Sequence, residues 1–133
     1  MPLMIKHGLS QLRQRLQAIH AELGALVPVL VGRQALLKAY LRYQPRTCGN
    51  PGCRCAKGER HPAWIMQVRE GGRVRCRSIP KETFEALREP AEEYRRFRQA
   101  RARWNRLVRE ANEAIEAIER GRTLKSREAL EEP

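Results

Sequence analysis

Aromatic residues are scarce in this chain, with two Trp, three Tyr and two Phe among its 133 residues. With so few aromatic side chains, we expect a small hydrophobic core. A small domain of this kind gains stability from a structural metal or from self-association. A long apolar run is missing too, because the stretch at 25–31 is short and is interrupted by Pro28. This excludes a membrane-spanning helix and a secretory signal. We therefore expect a cytoplasmic protein with no membrane partner, whose four cysteines are metal ligands or free thiols rather than disulfides.

The sequence patterns of several enzyme classes are also absent. The chain has no phosphate-binding loop, no nucleophile elbow and no paired carboxylates in an apolar setting. His7 and His20 are isolated, and the glutamates fall on predicted helices, where they serve as ion-pair partners. We assign no catalytic residue and expect that the protein is not an enzyme.

Negative charge is rare in the first part of the chain. Residues 1–80 carry 14 Lys/Arg against 3 Asp/Glu, whereas residues 81–133 carry 13 against 12, and the whole chain has a net charge of +12. A charge of this size indicates a polyanionic partner, which is DNA, RNA or an acidic membrane surface. The second part is typical of a helix laced with both charges.

A long amphipathic helix is predicted over residues 5–27. Its apolar residues are spaced alternately by four and three, which is the a/d stripe of a heptad repeat. The stripe consists of Ile5, Leu9, Leu12, Leu16, Ile19, Leu23 and Leu26. Pro28 and Gly32 are expected to end this helix. Residues 33–43 fit either a helix or a strand, and we expect a short helix or an extended entry to the next segment.

A second long helix is predicted over residues 81–120, followed by a frayed tail at 121–133. Pro90 is expected to kink this helix or to begin a second one. The apolar positions are Phe84, Leu87, Ala91, Tyr94, Trp104, Val108, Ala111, Ile115 and Ile118. Two such helices bury their stripes either against each other as an antiparallel hairpin or in a coiled-coil homodimer.

Three cysteines within eight residues, Cys48, Cys53 and Cys55, predict a zinc knuckle. The intervening Asn-Pro-Gly sequence favours a turn that brings the first two thiols together. Zinc prefers four sulfur or nitrogen ligands, and the residues alone leave the fourth open between His61 and Cys76. A complete Cys3His site has no open coordination position, so the zinc would be structural rather than catalytic.

A β-hairpin that turns at Gly71-Gly72 completes the predicted knuckle-and-hairpin segment, 41–80. A two-residue loop would pair Val68 with Arg75, whereas a three-residue loop pairs Val68 with Val74. We expect the three-residue loop, because it separates an apolar face, which includes Cys76, from an arginine face.

Two sets of basic residues are predicted to bind nucleic-acid phosphates, since arginine forks suit phosphate oxygens. The set around the knuckle and hairpin is Arg42, Arg46, Arg54, Lys57, Arg60, Arg69, Arg73, Arg75 and Arg77. The set on the second helix is Arg95, Arg98 and Arg101. Tyr43 and Trp64 are candidates for base stacking, although we expect Trp64 to belong to the core.

The central part of the chain, about residues 45–107, resembles a family of short, uncharacterised bacterial and archaeal proteins that are often encountered among mobile-element genes. The residues that carry the resemblance are Cys48-Gly49-Asn50-Pro51-Gly52-Cys53-Arg54-Cys55, Gly58-Glu59-Arg60-His61, Trp64, Gly71-Gly72, Pro80 and Tyr94-Arg95-Arg96-Phe97. The resemblance implies that Cys48, Cys53, Cys55 and His61 are the shared ligand set, with Cys76 outside it. It implies no established activity.

These observations together predict one α+β domain, 1–133, in which two long helices carry an inserted zinc knuckle and β-hairpin. The predicted function is that of a zinc-stabilised nucleic-acid-binding accessory protein, with a place in a mobile-element nucleoprotein complex. The alternatives are a protein–protein adaptor that acts through its heptad helices and a small metal-dependent transcriptional regulator. The choice between DNA and RNA stays open.

Overall fold

The computed structural model describes the backbone of residues 2–131 and the side chains of residues 8–131. This part of the chain contains the helices α1 (Pro2–Leu30), α2 (Lys81–Arg122) and α3 (Ser126–Glu131), and the strands β1 (Tyr40–Tyr43), β2 (Trp64–Glu70) and β3 (Arg73–Ser78). The predicted α+β class is confirmed. The chain divides into a sheet unit, Arg33–Arg98, and a helical unit made of the described residues on either side of it. Helix α2 contributes residues to both units.

The apolar stripe of α1 faces the interior of the helical unit. Leu9 and Ile19 are buried, and the other described members of the stripe, Leu12, Leu16, Leu23 and Leu26, are half-buried. Ile5 and His7 lie outside the described side chains. The helix continues past Pro28 to Leu30, and the N–H of Val31 still donates to the carbonyl of Val27 at 2.9 Å. It therefore ends three residues later than predicted.

Helices α1 and α2 pack antiparallel within the helical unit. An ion pair joins Arg15 to Glu110, and a second joins Glu22 to Arg103 at 2.9 Å. The residue later in α1, Glu22, pairs with the residue earlier in α2, Arg103, so the two helices run in opposite directions. This is the antiparallel hairpin of the two predicted alternatives, while homodimerisation stays a prediction.

The buried line of α2 differs in phase from the predicted stripe. Ala100, Leu107 and Ala114 are buried and lie seven residues apart, whereas Ile115, which was expected to be buried, is 49% exposed. Gly121 continues the same spacing, and a Cβ atom there would lie 2.8 Å from Cδ2 of Leu9. Small residues let the two helices approach closely. Packing therefore buries the face of α2 that contains Ala100 and Ala114 rather than the adjacent face that contains Ile115.

Helix α2 is a single element that contains Pro90, so the alternative of a second helix beginning there is wrong. The carbonyl of Pro90 accepts a hydrogen bond of 3.0 Å from the N–H of Leu37 within the sheet unit. In the predicted tail, α3 is exposed along its length, and residues 132–133 lie outside the described residues. Within the described residues, no helix combines the length and hydropathy that a bilayer crossing requires.

The sheet unit is built on an antiparallel sheet with the strand order β1-β2-β3. Of the short helix and the extended entry that were the alternatives for residues 33–43, the structure shows the extended one: β1 lies there, and Tyr43 pairs with Trp64 of β2. The ring of Trp64 lies 4.5 Å from that of Tyr43 and 4.8 Å from that of Phe84, measured between ring centroids. Trp64 is thus half-buried between a strand and the start of α2.

The β2–β3 hairpin has a two-residue loop, so the predicted three-residue register is wrong. Glu70 pairs with Arg73, and Val68 pairs with Arg75. Gly71 and Gly72 have φ values of 56° and 79°, as a type I′ turn requires, and the twist of this turn matches that of the strands. The three-residue loop was expected because it would separate apolar from charged side chains. Every residue of β3 is exposed, so neither face of this strand is buried and that separation brings no stabilisation.

The observed register also redistributes the hairpin arginines. Directly paired residues share a face of the sheet, so Arg73, Arg75 and Arg77 lie on one face, opposite Glu70, Val68 and Met66 of β2. Arg69 lies on the other face, where Val74 and Cys76 also lie. The predicted single face of four arginines is therefore wrong.

Candidate metal centre

The candidate metal centre lies in the loop that connects β1 to β2. The ladder between these strands continues beyond their ends, since the N–H of Gln44 donates to the carbonyl of Ala63 at 2.8 Å. Arg46 and His61 then exchange two backbone hydrogen bonds, of 2.9 and 2.8 Å. The cysteine loop is therefore the tip of a β-hairpin, and His61 is held at its base.

Local turns bring the cysteines of this loop together. The N–H of Cys53 donates to the carbonyl of Asn50 at 3.1 Å, which closes the predicted turn over Pro51 and Gly52. Gly52 is not among the glycines with positive φ; that conformation is adopted instead by Gly49, at 79°. A short 3-10 helix, Arg54–Lys57, follows and buries Cys55.

The predicted ligand atoms lie close together in space. The Sγ atoms of Cys48 and Cys55 are 3.4 Å apart, and Sγ of Cys53 lies 3.2 Å from Nε2 of His61. All four ligand atoms lie within 4.8 Å of one another. Ligands in a regular zinc tetrahedron are separated by about 3.5–3.8 Å. The cluster therefore has the size and the donor set of a four-coordinate metal site.

The thiols and the imidazole influence one another's protonation. A hydrogen bond from the backbone of Asn50, followed by one from the Cys55 side chain, lowers the pKa of Cys48 from 9.0 to about 6. A backbone hydrogen bond from Cys55 is the main cause of a lowered pKa at Cys53. Hydrogen bonds first to Cys48 and then to Cys53 raise the pKa of His61. The lowered pKa of Cys48 favours its thiolate form, which is the form that binds a metal.

Cys55 behaves differently from its neighbours because it is the buried member of the cluster, with 2% of its surface exposed. A hydrogen bond from the Cys48 backbone, the largest single influence, lowers the pKa of this thiol. Burial and the neighbouring Cys48 and Cys53 thiolates together outweigh that influence, so the pKa of Cys55 is raised. Metal binding at this position would release a proton.

Cys76, the alternative fourth ligand, lies on β3 away from the cluster. Its Sγ is 3.7 Å from a terminal nitrogen of Arg42 and 3.8 Å from Oε1 of Gln67. In the observed register it pairs with Gln67 rather than with Met66, and it is exposed instead of facing the core. The structure thus brings His61, and not Cys76, together with the other three cysteines.

Most of the basic residues proposed as phosphate contacts are exposed. Those on the cysteine loop and its base are Arg46, Arg54, Lys57 and Arg60. Those on the hairpin and on α2 are Arg69, Arg73, Arg75, Arg77, Arg95, Arg98 and Arg101. Among the described residues, only Arg75 of these eleven lies within ion-pair distance of a carboxylate, 3.8 Å from Glu70.

Arg42 is the exception in the predicted set, because it is half-buried on β1. Its Nε atom is buried and has no hydrogen-bond partner among the described residues. Its neighbours across the sheet depend on the register, which the residue pattern did not reveal.

A comparison with known protein families finds a match for this chain. Residues 7–89 match the family described as "Domain of unknown function (DUF6788)". The chain belongs to this family. The match covers more than half of the chain and includes the candidate metal centre and the whole three-stranded sheet. Membership in an uncharacterised family is therefore confirmed, while its bacterial and archaeal distribution and its mobile-element context stay predictions. No curated protein and no solved structure matches the chain.

Proposed function

We propose that this protein is a non-enzymatic, zinc-stabilised nucleic-acid-binding accessory protein. The observation that carries the proposal is the position of the Cys3His cluster within an exposed basic loop. Four cations of that loop and its base, Arg46, Arg54, Lys57 and Arg60, lie close in sequence to the predicted ligands, with Glu59 as the only acid between Cys48 and His61. A metal that orders this loop would also order its cations.

Zinc is the metal that suits the donor set best. Three thiolates and one imidazole are soft and borderline ligands, which disfavour magnesium and calcium and match the tetrahedral structural sites of zinc. With four protein ligands, no position remains for a substrate or an activated water. The centre would therefore stabilise the loop rather than catalyse a reaction.

Nucleic acid is the polyanion that we propose as the partner. The hairpin arginines Arg69, Arg73 and Arg77 and the helix arginines Arg95, Arg98 and Arg101 are exposed and form no ion pair among the described residues. Their guanidinium groups remain available for phosphate oxygens, in contrast to Arg15 and Arg103, which pair with glutamates of the opposite helix. The net charge of +12 would further increase the rate and strength of association with a polyanion.

A salt titration of the zinc-loaded protein tests this proposal. Binding to duplex DNA, single-stranded DNA and structured RNA is measured by fluorescence anisotropy between low and moderate salt. One variant replaces Arg69, Arg73 and Arg77 by Gln, and a second replaces Arg95, Arg98 and Arg101. The charge-matched control replaces Arg13, Arg33 and Arg120, which are exposed and lie outside the proposed contacts.

We expect each proposed set, but not the control set, to flatten the plot of log affinity against log salt. The expected change is about 0.9 of slope per lost phosphate contact on duplex DNA and about 0.7 on a single strand. Equal losses in all three variants would indicate nonspecific charge attraction and would contradict the assigned contacts. Absence of binding to every polymer at low salt would favour the adaptor alternative.

A further inference from the structure

The two flanks of α2 beside its buried line differ in chemistry. Arg103 and Glu110 lie about 40–60° to one side of Leu107 around the helix axis, and both form ion pairs with α1. Val108 and Ile115 lie about 80–100° to the other side, where Val108 is half-buried and Ile115 is 49% exposed. The contact with α1 therefore engages the charged flank of α2 and leaves the apolar flank open.

Helix α1 shows the same division. Arg15 and Glu22, its partners in those ion pairs, lie about 40–60° to one side of the buried Ile19. Leu16 and Val27 lie about 60–80° to the other side, and Val27 is 39% exposed. Because the ion pairs join the two charged flanks, the two apolar flanks lie beside each other on the opposite side of the helical hairpin.

This opposite side of the helical hairpin is here called the open face. Its residues are Leu16, Leu23 and Val27 of α1 and Trp104, Val108, Ala111, Ile115 and Ile118 of α2. The members in α2 alternate in spacing by four and three, as in the stripe that the sequence predicted to be buried. An apolar helix face that combines heptad spacing with partial exposure is typical of an interface between helices.

The charges at the rim of the open face suit a second copy of this chain. Arg101 and Glu119 lie near opposite ends of the α2 stripe, each about 120° around the axis from Leu107. Both are exposed, and neither side chain forms an ion pair among the described residues. Antiparallel pairing of two α2 helices would place Arg101 of each copy beside Glu119 of the other, whereas parallel pairing would place like charges together.

The apolar residues of the stripe fit the same antiparallel arrangement. A register that places Trp104 opposite Ile115 of the second copy also places Val108 opposite Ala111 of the second copy. This register brings the two rim charges to the same level along the helix axes. The contact is self-complementary, so it closes with two copies.

We propose that the open face is the interface of a homodimer, in which two helical hairpins form a four-helix bundle with antiparallel α2 helices. The apolar residues of this interface lie outside the proposed phosphate contacts, so the dimer does not rest on the proposed function. Arg101 belongs to both, and its guanidinium group has enough N–H donors for a carboxylate and a phosphate. Helix α2 would thus use one apolar line for its own α1 and a second for the other copy.

Sedimentation equilibrium of the zinc-loaded full chain tests the interface. We expect the wild type to reach twice the mass of one chain as its concentration rises. Ile115→Asp should weaken the dimer about a hundredfold or more, because each dimer would lose two buried isoleucines. Leu124→Asp is the matched control, since Leu124 is 61% exposed and follows α2, and it should change the dissociation constant less than about twofold.

Circular dichroism distinguishes loss of the dimer from loss of the fold. At concentrations where the wild type is a monomer, Ile115→Asp should keep the helix content of the wild type, because a single chain leaves this side chain half exposed. A wild type that stays monomeric up to the concentration of an NMR sample would overturn the proposal. Equal effects of Ile115→Asp and Leu124→Asp on the dimer would overturn it as well.

The rim charges test the orientation without changing an apolar residue. Arg101→Glu and Glu119→Arg should each weaken the dimer about five- to tenfold, and the double variant should restore it, because each cross-pair regains opposite charges. Glu113→Arg is the control, since Glu113 is exposed on the side of α2 away from the open face. Equal dimer affinity in the wild type, both single variants and the double variant would contradict the antiparallel arrangement.

Discussion

The helical unit and the sheet unit are stabilised by different means. The helical unit has a continuous apolar core, in which Ile19 and Leu107 are fully buried. In the sheet unit the buried side chains are Ile65 and Cys55, and the second of these is itself a predicted metal ligand. The helical unit thus depends on ordinary packing, whereas the sheet unit has few buried side chains, and we propose that a metal at the Cys3His cluster compensates for its small core.

Metal removal gives the sharpest contrast between the two units. We expect a chelator, or Cys55→Ser, to abolish protection from hydrogen exchange in residues 44–63 and to leave the helical unit protected. The effect should be large, because structural zinc sites bind with apparent free energies of about 10–16 kcal/mol. Hydrogen exchange followed by mass spectrometry measures both units in one experiment.

Cys76→Ser is the control for that substitution, since Cys76 is exposed on β3 and lies outside the cluster. It should bind metal and resist exchange as the wild type does. If residues 44–63 keep their protection in the metal-free protein, the sheet unit is stable without a metal, and the contrast between the units is wrong.

Acidification should release the metal, and the pKa of Cys48 sets the range. The hydrogen bonds from the Asn50 backbone and the Cys55 side chain lower this pKa from its ordinary value of 9.0 to about 6. The contribution of this thiolate to folding is therefore complete above about pH 9 and is lost as the pH falls through about 6. We expect the apparent zinc affinity, measured by competition with a chromophoric chelator, to decrease from pH 7.5 to pH 5.5. A pH-independent affinity over this range would exclude thiolate ligation.

Leu107 tests the packing of the helical unit. Its side chain is fully buried, so Leu107→Ala should reduce the free energy of unfolding by about 2–5 kcal/mol. Ile115→Ala is the matched control, because its side chain is 49% exposed and should cost less than about 1 kcal/mol. Chemical denaturation followed by circular dichroism compares them. A larger loss of unfolding free energy from Ile115→Ala than from Leu107→Ala would show that α2 buries the face predicted from the sequence.

Two glycine substitutions should change stability in opposite directions in the two units. Gly72 has a φ of 79°, and Gly72→Ala should destabilise the hairpin by about 1–2 kcal/mol. Gly24 lies inside α1 with open space around its Cα, and Gly24→Ala should stabilise that helix by about 0.5–1 kcal/mol. Thermal unfolding of the zinc-loaded proteins measures both changes. A neutral Gly72→Ala substitution would argue against the type I′ turn.

Periodicity and spacing predicted the parts of the structure that depend on local chemistry. The alternating stripe of α1 required one helix face, and Leu9 and Ile19 are buried on it. The cysteine spacing and the turn at Asn50 required a cluster, and the ligand atoms of that cluster lie close together. In both cases neighbours in sequence carry most of the signal, but the choice of His61 over Cys76 as the fourth ligand came from the family resemblance.

The features that sequence analysis missed depend on competition between nearly equivalent arrangements. Leu107 and Val108 both continue a heptad in α2, and only contact with α1 selects the first. Gly71 and Gly72 permit hairpin loops of two or three residues, and the exposed strand β3 gives the apolar pattern no buried face to satisfy. Such choices are made by tertiary packing, which a single sequence does not display.

Metal content measured by native mass spectrometry tests the central claim most directly. We expect one zinc ion per chain in the wild type and in Cys76→Ala, and none in Cys53→Ala or His61→Ala. Retention of the ion by His61→Ala together with its loss from Cys76→Ala would contradict this ligand set, because Cys76 on β3 would then take the place of His61.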